Sequence, residues 1–199
     1  MLKNKLGQIW ISAVLYIAIG IVAITIILSA GVPLVNKIKD KNTILQTKEI
    51  LLYIDNTIRE VRNEGPGSRR VIDPFIIKDG DLFFNTSSKA QGNENKIQWD
   101  LKTSTIFAEP CGKSINNCDD ELIIKEGTLK IYQTTTIIED EYVVHLELDY
   151  SNLGFLNIKT DTGKNSPLKG KYSITIENAG INSARNPQAS LPDLDVSVV

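Results

Sequence analysis

Between Gln8 and Asn36 the chain contains no lysine, arginine, aspartate, glutamate or histidine. About 20 apolar residues are enough to cross the hydrocarbon core of a bilayer as a helix. In this run, branched and aromatic side chains fall on every face of a helix, so no polar face remains for water. The run therefore excludes an ordinary surface helix and predicts a segment that is solvated by lipid or by other apolar helices.

The uncharged run by itself leaves two simple interpretations open. A secretory signal peptide also has a basic start and an apolar middle, although its apolar stretch is usually shorter, and Ser29-Ala30-Gly31 resembles its small-residue cleavage site. A plain membrane anchor needs only the length and the composition.

The pattern changes after Pro33, where charged residues alternate with apolar ones at helical spacing. The apolar positions are Leu34, Val35, Ile38, Ile44, Leu45, Leu51, Leu52, Ile54, Ile58 and Val61. The apolar helix is thus expected to continue as an amphipathic one. Gly31 and Pro33 predict a kink or a short unwound stretch at 29–33, because proline removes a helical hydrogen bond and crowds the preceding turn. Glu64-Gly65-Pro66-Gly67 predicts the end of the helix.

The residues after the helix are sufficient for one domain with its own core. They contain short runs of branched and aromatic residues separated by turn formers, which is typical of strands. The runs are Val71–Ile72 with Phe75–Ile77, Leu82–Phe84, Ile97–Leu101, Leu122–Ile124, Leu129–Ile131, Ile137–Ile138, Tyr142–Leu148, Phe155–Ile158 and Tyr172–Ile176. We predict an α+β fold, in which the long hydrophobic helix joins an antiparallel β-sandwich-like domain over 65–180, followed by a tail, 181–199.

Local chemistry predicts where strands turn. Lys78–Asp81, Glu126-Gly127 and Ser151–Gly154 are expected to be hairpin links, because Asn, Asp and Gly tolerate the backbone angles of tight turns. In the tail, the apolar residues Leu194, Val196 and Val198 alternate with polar ones. This pattern is consistent with a last strand, either in this chain or added to a neighbouring copy.

One strand has a pattern clear enough to assign its two faces. In Tyr142–Leu148 every second residue is apolar, and successive side chains of a strand point to opposite faces. We therefore expect Val144, Leu146 and Leu148 to point into the core, with His145 and Glu147 pointing into solvent.

Cys111 and Cys118 are the only cysteines. A disulfide would close a short polar loop and stabilise the fold by about 2–3 kcal/mol. Zinc is disfavoured, since it usually needs four ligands and the only histidine, His145, lies elsewhere. A disulfide is the prediction, and no metal is expected.

The sequence offers little material for catalysis. It has no nucleophile elbow, phosphate-binding glycine loop or His-Glu-x-x-His helix. Asp119–Glu121 and Glu139–Glu141 could supply oxygen ligands to calcium, but solvated turns fit better because neither has the spacing of a calcium loop. We predict no enzyme activity and no cofactor. The formal net charge of -2 gives no general attraction to nucleic acid.

The amino-terminal region resembles the class III signal peptide of archaeal type IV pilin-like proteins and archaellins. Lys3 and Lys5 form a basic leader, Gly7 precedes the scissile bond, Gln8 is the first mature residue, and a long apolar helix follows. Ser12 occupies the fifth mature position, where many type IV pilins carry a glutamate and archaellins commonly do not. The resemblance implies a leader over 1–7, cut off by a prepilin peptidase, and a helix over 8–64 that remains on the protein.

The resemblance also implies a function: a structural subunit of an archaeal pilus-like or archaellum-like filament at the cell surface. The subunit would wait in the membrane, then form a helical homo-oligomer with the help of pilus assembly machinery. Ala13, Ala18, Gly20 and Ala23 would permit close helix packing, and Ala13 shares a face with Gly20 because seven residues span nearly two turns.

Two observations favour a β-domain outside the membrane: the cysteine pair and the glycosylation pattern Asn85-Thr86-Ser87. Two other classes of protein would have the same anchor. One is a single-pass surface protein that presents a β-sandwich binding domain without polymerising. The other is an anchored enzyme, which would need a pocket of convergent ionisable groups.

Overall fold

The uncharged run and the amphipathic stretch belong to a single helix, α1 (Lys3–Glu64). The computed structural model describes residues 3–85, 96–113, 118–150, 156–160, 168–181 and 193–199. The chain divides into two compact units, Met1–Asp40 and Lys41–Val199. The first unit contains the apolar half of α1, and the second contains the amphipathic half together with the sheet.

Helical structure continues through the segment 29–33, with Pro33 inside the helix. The predicted unwound stretch is therefore wrong. Proline removes only one backbone hydrogen bond of the ladder, and the neighbouring residues keep theirs. A bend at Gly31 and Pro33 stays a prediction.

The helix ends where its sequence predicts. Gly65 and Gly67, with φ values of 96° and 86°, take the backbone out of the helical region. The last turn leaves carbonyl groups without helical partners. The amide of Asn178 donates to the carbonyl oxygens of Val61 and Arg62, at 3.2 and 3.3 Å. A buried side chain of the sheet thus caps the helix.

Eight strands follow α1 and form one sheet. They are β1 (Arg69–Asn85), β2 (Lys96–Thr103), β3 (Ile124–Glu126), β4 (Leu129–Thr135), β5 (Tyr142–Asp149), β6 (Leu156–Thr160), β7 (Leu168–Gly180) and β8 (Asp193–Val198). Their order is β3-β4-β5-β2-β1-β7-β8-β6. Neighbouring strands are antiparallel except β6 and β8, which are parallel.

The α+β fold and the long apolar helix are confirmed, but the sandwich-like arrangement is not found. All described strands lie in one sheet, and the second layer is the amphipathic half of α1. Five helix residues with at most 1% exposure belong to the same core as the sheet: Ile44, Leu51, Ile54, Ile58 and Val61. A sheet must cover its apolar face with another element, and here the helix does so in place of a second sheet.

The segment Lys78–Asp81 is not a hairpin link, because it lies inside the long strand β1. The register of β1 against β7 shifts between Ile77 and Leu82. The glycine and aspartates of this segment therefore lie at an irregularity within a strand and not at a reversal of the chain. The other testable link is confirmed, since Glu126-Gly127 lies in the tight connection between β3 and β4. Ser151–Gly154 lies outside the described residues.

The inward face of β5 is confirmed, because Val144, Leu146 and Leu148 are fully buried. The outward face is not the solvated surface that the alternation predicted. Glu147 is only 3% exposed, since Lys96 from β2 donates to its carboxylate at 3.0 Å. The side chain of His145 is also largely covered, with 14% exposed.

Two further predictions are corrected by long-range pairing. Ile137 and Ile138 lie in the loop between β4 and β5 rather than in a strand. The domain does not end at residue 180: β8 inserts between β7 and β6 of its own chain, and Leu194, Val196 and Val198 enter the core. The alternating tail thus forms its last strand in this chain.

Candidate functional site

The first half of α1 is a large exposed apolar surface. Every residue from Ser12 to Lys39 is exposed except Gly20 and Gly31, which are partly covered. Among the described residues, this helix is long and apolar enough to cross a membrane, and none of the residues in its most apolar stretch is buried. A signal sequence near an amino terminus has the same properties. The helix is therefore suited to be a membrane anchor or a signal sequence.

Two glycines of this surface, Gly20 and Gly31, have no explanation in the contacts of the described residues. A Cβ atom added to Gly20 or Gly31 would meet nothing within 4 Å. Glycine inside a helix costs about 1 kcal/mol relative to alanine. Gly31 lies eleven residues after Gly20, about three helical turns, so both fall on the stripe that also contains Ala13. No contact among the described residues offsets this cost.

The four predicted packing residues do not form one face. Ala13, Gly20 and Ala23 lie towards one side of the helix, because Ala23 follows Gly20 by three residues, and Ala18 lies on the opposite side. A shallow groove runs between Ala18 and Ala23. The remaining residues of the groove are Leu15, Ile19, Val22 and Ile26. The helix thus presents small residues in two directions, which suits contact with more than one neighbour.

The hydroxyl groups of the apolar half are satisfied within the helix. Thr25 Oγ1 donates to the carbonyl oxygen of Ile21 at 2.8 Å, and Ser29 Oγ donates to that of Ile26 at 2.9 Å. An unsatisfied polar group in hydrocarbon costs several kcal/mol. These internal bonds allow both side chains to face lipid or an apolar neighbour.

The predicted processing site lies within α1. The helix begins at Lys3 and runs through Gly7 and Gln8, so both are helical. Cleavage between them stays a prediction, and it would leave the exposed apolar surface intact.

The predicted disulfide between Cys111 and Cys118 is present. Backbone hydrogen bonds fix the first two residues of its loop beside β4: Cys111 N donates to Gln133 O and Thr135 N donates to Gly112 O, both at 2.8 Å. Asn85 is the last residue of β1, while residues 86 and 87 of its glycosylation pattern lie outside the described part. Glycosylation stays a prediction.

A polar cluster on the outer face of the sheet was missed by sequence reasoning. His145 Nδ1 lies 2.6 Å from Asp100 Oδ1, and its Nε2 lies 2.9 Å from Thr134 Oγ1. The ring of Tyr132 stacks on the imidazole at a centroid distance of 4.8 Å. The order hydroxyl, imidazole, carboxylate is that of a nucleophilic triad, but Thr134 is buried. The cluster joins β2, β5 and β4, and only the register of these strands brings it together.

A second, partly buried cluster joins the helix to the sheet. Arg59 Nε donates to Asp55 Oδ2 at 2.9 Å, and the guanidinium also contacts Thr128, next to the β3–β4 turn. The hydroxyl of Tyr150 is buried beside the carboxylate of Asp55, outside ordinary hydrogen-bond geometry. Burial, followed by the charge of Asp55, raises the pKa of Tyr150 above its ordinary value.

A groove of about 500 Å³ lies between the amphipathic part of α1 and β1. Ile72 and Phe75 form part of its apolar wall, with Tyr53 on the helix side. Gln46 and Lys78 add polar ends. Such a mixture of apolar walls and a few polar groups is common in sites for small ligands.

The acidic clusters predicted to be solvated turns do not gather a metal site in the described part of the chain, where no group of three or more potential ligands is found. The two cysteines are bonded to each other, so they are not zinc ligands. No protein-family model, curated protein or solved structure matches the chain.

Proposed function

We propose that this protein is a structural subunit of a surface filament of the type IV pilus or archaellum kind. It would be held in the membrane before assembly and would polymerise through the apolar half of α1. Its partners would be copies of itself, a prepilin peptidase and assembly machinery. The β-domain would then be displayed on the outside of the filament.

One observation carries the proposal: α1 combines two surfaces of different character. From Ile44 to Val61 its apolar side chains are consumed by the core of the β-domain. From Ser12 to Lys39 its apolar surface is exposed, with no packing layer among the residues that the structure describes. A helix that is apolar on all sides must be surrounded by lipid or by other helices. Glycines without an intramolecular reason add support for helices as the final surroundings.

The driving force for assembly would be packing. Lipid tails are as apolar as leucine, so replacing lipid by protein gains nothing from the hydrophobic effect itself. Small residues let helix backbones approach and increase the van der Waals contact between them. Ala13, Gly20 and Ala23 on one side, with Ala18 on the other, would give each helix two such contacts.

The test is to determine the mature amino terminus by mass spectrometry and to image the cell-envelope fraction by electron microscopy. We expect a chain that begins at Gln8, together with ordered filaments that contain it. A Gly7→Leu variant should keep its leader and yield no filaments, since the resemblance implies cleavage after this glycine. A mature chain that begins after Ala30 would instead identify a removed signal peptide and would refute the proposal.

A second function is favoured by the groove between α1 and β1. There the ring of Tyr53 is 57% exposed, and Gln46 and Lys78 have no hydrogen bond within the described residues. A single-pass surface protein that binds a ligand in this groove without polymerising would fit these features. Retention of residues 1–7 and absence of filaments in the native host would favour this alternative.

A further inference from the structure

The loop between β4 and β5 exposes two neighbouring isoleucines. Ile137 is 93% exposed and Ile138 is 66% exposed. Tight loops usually contain Gly, Pro, Asn, Asp or Ser, each for a backbone reason. Branched aliphatic residues offer no such advantage. Leaving their apolar surface in water forgoes a burial free energy of about 25 cal/mol per Å². The pair therefore suggests a contact surface.

The loop holds this pair in a fixed arrangement. Thr136 N donates to Glu141 O at 3.1 Å, and Glu141 N donates back to Ile138 O at 3.3 Å. Ile138 N also donates to the hydroxyl of Thr136 at 3.1 Å. Because these bonds close the loop on itself, a partner would not need to order it on binding.

Two carboxylates accompany the isoleucines. Glu139 and Asp140 are exposed, and neither has a hydrogen bond or an ion pair within the part of the chain that the structure describes. Each copy thus carries an apolar pair with two unneutralised negative charges, here named the acidic loop (137–140). Its complement would be an exposed surface of aliphatic and basic side chains.

The same chain carries such a surface on α1. Leu34 and Ile38 are 59% and 53% exposed, and Lys37 lies beside them because positions three and four apart are neighbours on a helix. Lys41 follows four residues after Lys37. Neither lysine has a hydrogen bond or an ion pair among the described residues. We name Leu34, Lys37, Ile38 and Lys41 the basic face.

We infer that the acidic loop of one copy docks on the basic face of a second copy. The inference rests on the proposed filament, because it supplies a contact between successive subunits. Two aliphatic side chains and two carboxylates would meet two aliphatic side chains and two ammonium groups. Each copy carries one surface of each kind, so the contact is head-to-tail and can repeat without closing. Opposite charges would fix the register of the contact.

The first test reverses charges in the full-length protein in its native host. Lys37→Glu alone and Glu139→Lys alone should each reduce filament mass by about tenfold or more, because like charges then face each other. The double variant should recover filaments, since it restores one pair of opposite charges. Lys102→Glu and Glu60→Lys are matched controls, because both residues are exposed and lie outside the two surfaces. All variants should remain in the membrane fraction.

The second test detects the contact directly. Two chains are co-expressed, one with Ile38→Cys and the other with Ile137→Cys, in the otherwise unchanged protein. Mild oxidation should give a covalent dimer that contains both chains. As a control, the pair Ile38→Cys and Ile124→Cys should give no covalent dimer, because Ile124 lies on β3 outside the acidic loop. The native cysteines do not compete, since they are bonded to each other.

The outcomes separate this inference from the proposed function. Normal filaments from both single reversals, or absence of the Ile38–Ile137 cross-link in wild-type-like filaments, would overturn the docking contact and leave the filament proposal intact. If the unmodified protein forms no filaments at all, both fail. Poor folding of a charge variant would be seen as loss of protease resistance. In that case the cross-link decides whether the acidic loop docks on the basic face.

Discussion

At the scale of single residues, Gly80 is fixed by its contact with the core. It has a φ of 82° inside β1, and a Cβ atom there would lie 2.5 Å from the indole of Trp99. Trp99 is fully buried, and its Nε1 donates to Asp79 O at 3.0 Å. The ring therefore has nowhere to move.

We expect Gly80→Ala to lower the free energy of unfolding by about 2–5 kcal/mol, through overpacking and the left-handed backbone together. The control is Gly127→Ala, where φ is 63° but nothing lies within 4 Å, so that only the backbone cost of about 1–2 kcal/mol applies. Urea unfolding of the full chain in detergent measures both. Equal losses in the two variants would show that contact with Trp99 does not matter.

Tyr150 predicts an effect of high pH. Burial first, and then the charge of Asp55, raise its folded-state pKa, whereas an unfolded tyrosine ionises at about pH 10. Neutral Tyr150 thus contributes stability that is complete below about pH 10 and is lost as the pH rises above it. Its hydroxyl interacts with Asp55 outside ordinary hydrogen-bond geometry, so Tyr150→Phe should cost at most about 1 kcal/mol at pH 7.

Between pH 9 and 11, roughly the range around the unfolded pKa, Tyr150→Phe should lose less free energy of unfolding than the wild type. Urea unfolding at each pH measures the difference, with Tyr53→Phe, on an exposed ring, as the control. Parallel pH curves for wild type and Tyr150→Phe would contradict this assignment.

At the scale of elements, α1 performs two separable tasks. Its amphipathic half completes the core, and its apolar half would mediate assembly. Because none of the described residues lies within 4 Å of a Cβ added at Gly20, a bulky residue there should leave the fold and membrane insertion unchanged. Only contacts with other helices would be disturbed.

Gly20→Leu should therefore hinder polymerisation, while Gly20→Ala should be tolerated better, because it adds one methyl group and improves helix propensity. Filament mass by electron microscopy and protein content of the membrane fraction are the two measurements. Normal filaments from Gly20→Leu would count against close packing at this position.

At the scale of the whole molecule, the carboxyl-terminal strand completes the sheet. β8 pairs with β7 on one side and β6 on the other. Leu194, Val196 and Val198 are at most 6% exposed. A strand between two others, with three core residues, belongs to the domain rather than to a tail.

Deletion of residues 193–199 should abolish cooperative unfolding of the β-domain. Truncating one buried aliphatic side chain typically costs about 2–5 kcal/mol, and the loss of three approaches or exceeds the total stability of about 5–15 kcal/mol of an ordinary domain. Circular dichroism during thermal unfolding, with limited proteolysis, measures the effect. The triple variant Asp193→Asn, Asp195→Asn and Ser197→Ala keeps the apolar face and is the control. A truncated chain that melts like the wild type would refute this role.

The sequence by itself determined the features that depend on neighbours along the chain. The charge-free run, the change to an amphipathic helix and the stop after Glu64 follow from helical spacing and from residues a few positions apart. The turn at Gly127 and the closure of the Cys111–Cys118 loop are equally local. Each of these was predictable because the interacting groups are close in sequence.

The tertiary structure alone decided what distant segments do to each other. Three features depend on strand register. They are the replacement of a second sheet by α1, the contact of Gly80 with Trp99, and the burial of Glu147 by a lysine on β2. The cluster of Asp100, His145 and Thr134 has the same origin. Register is set by the sum of many weak contacts across the sheet. Local spacing carries too little of that sum to predict it.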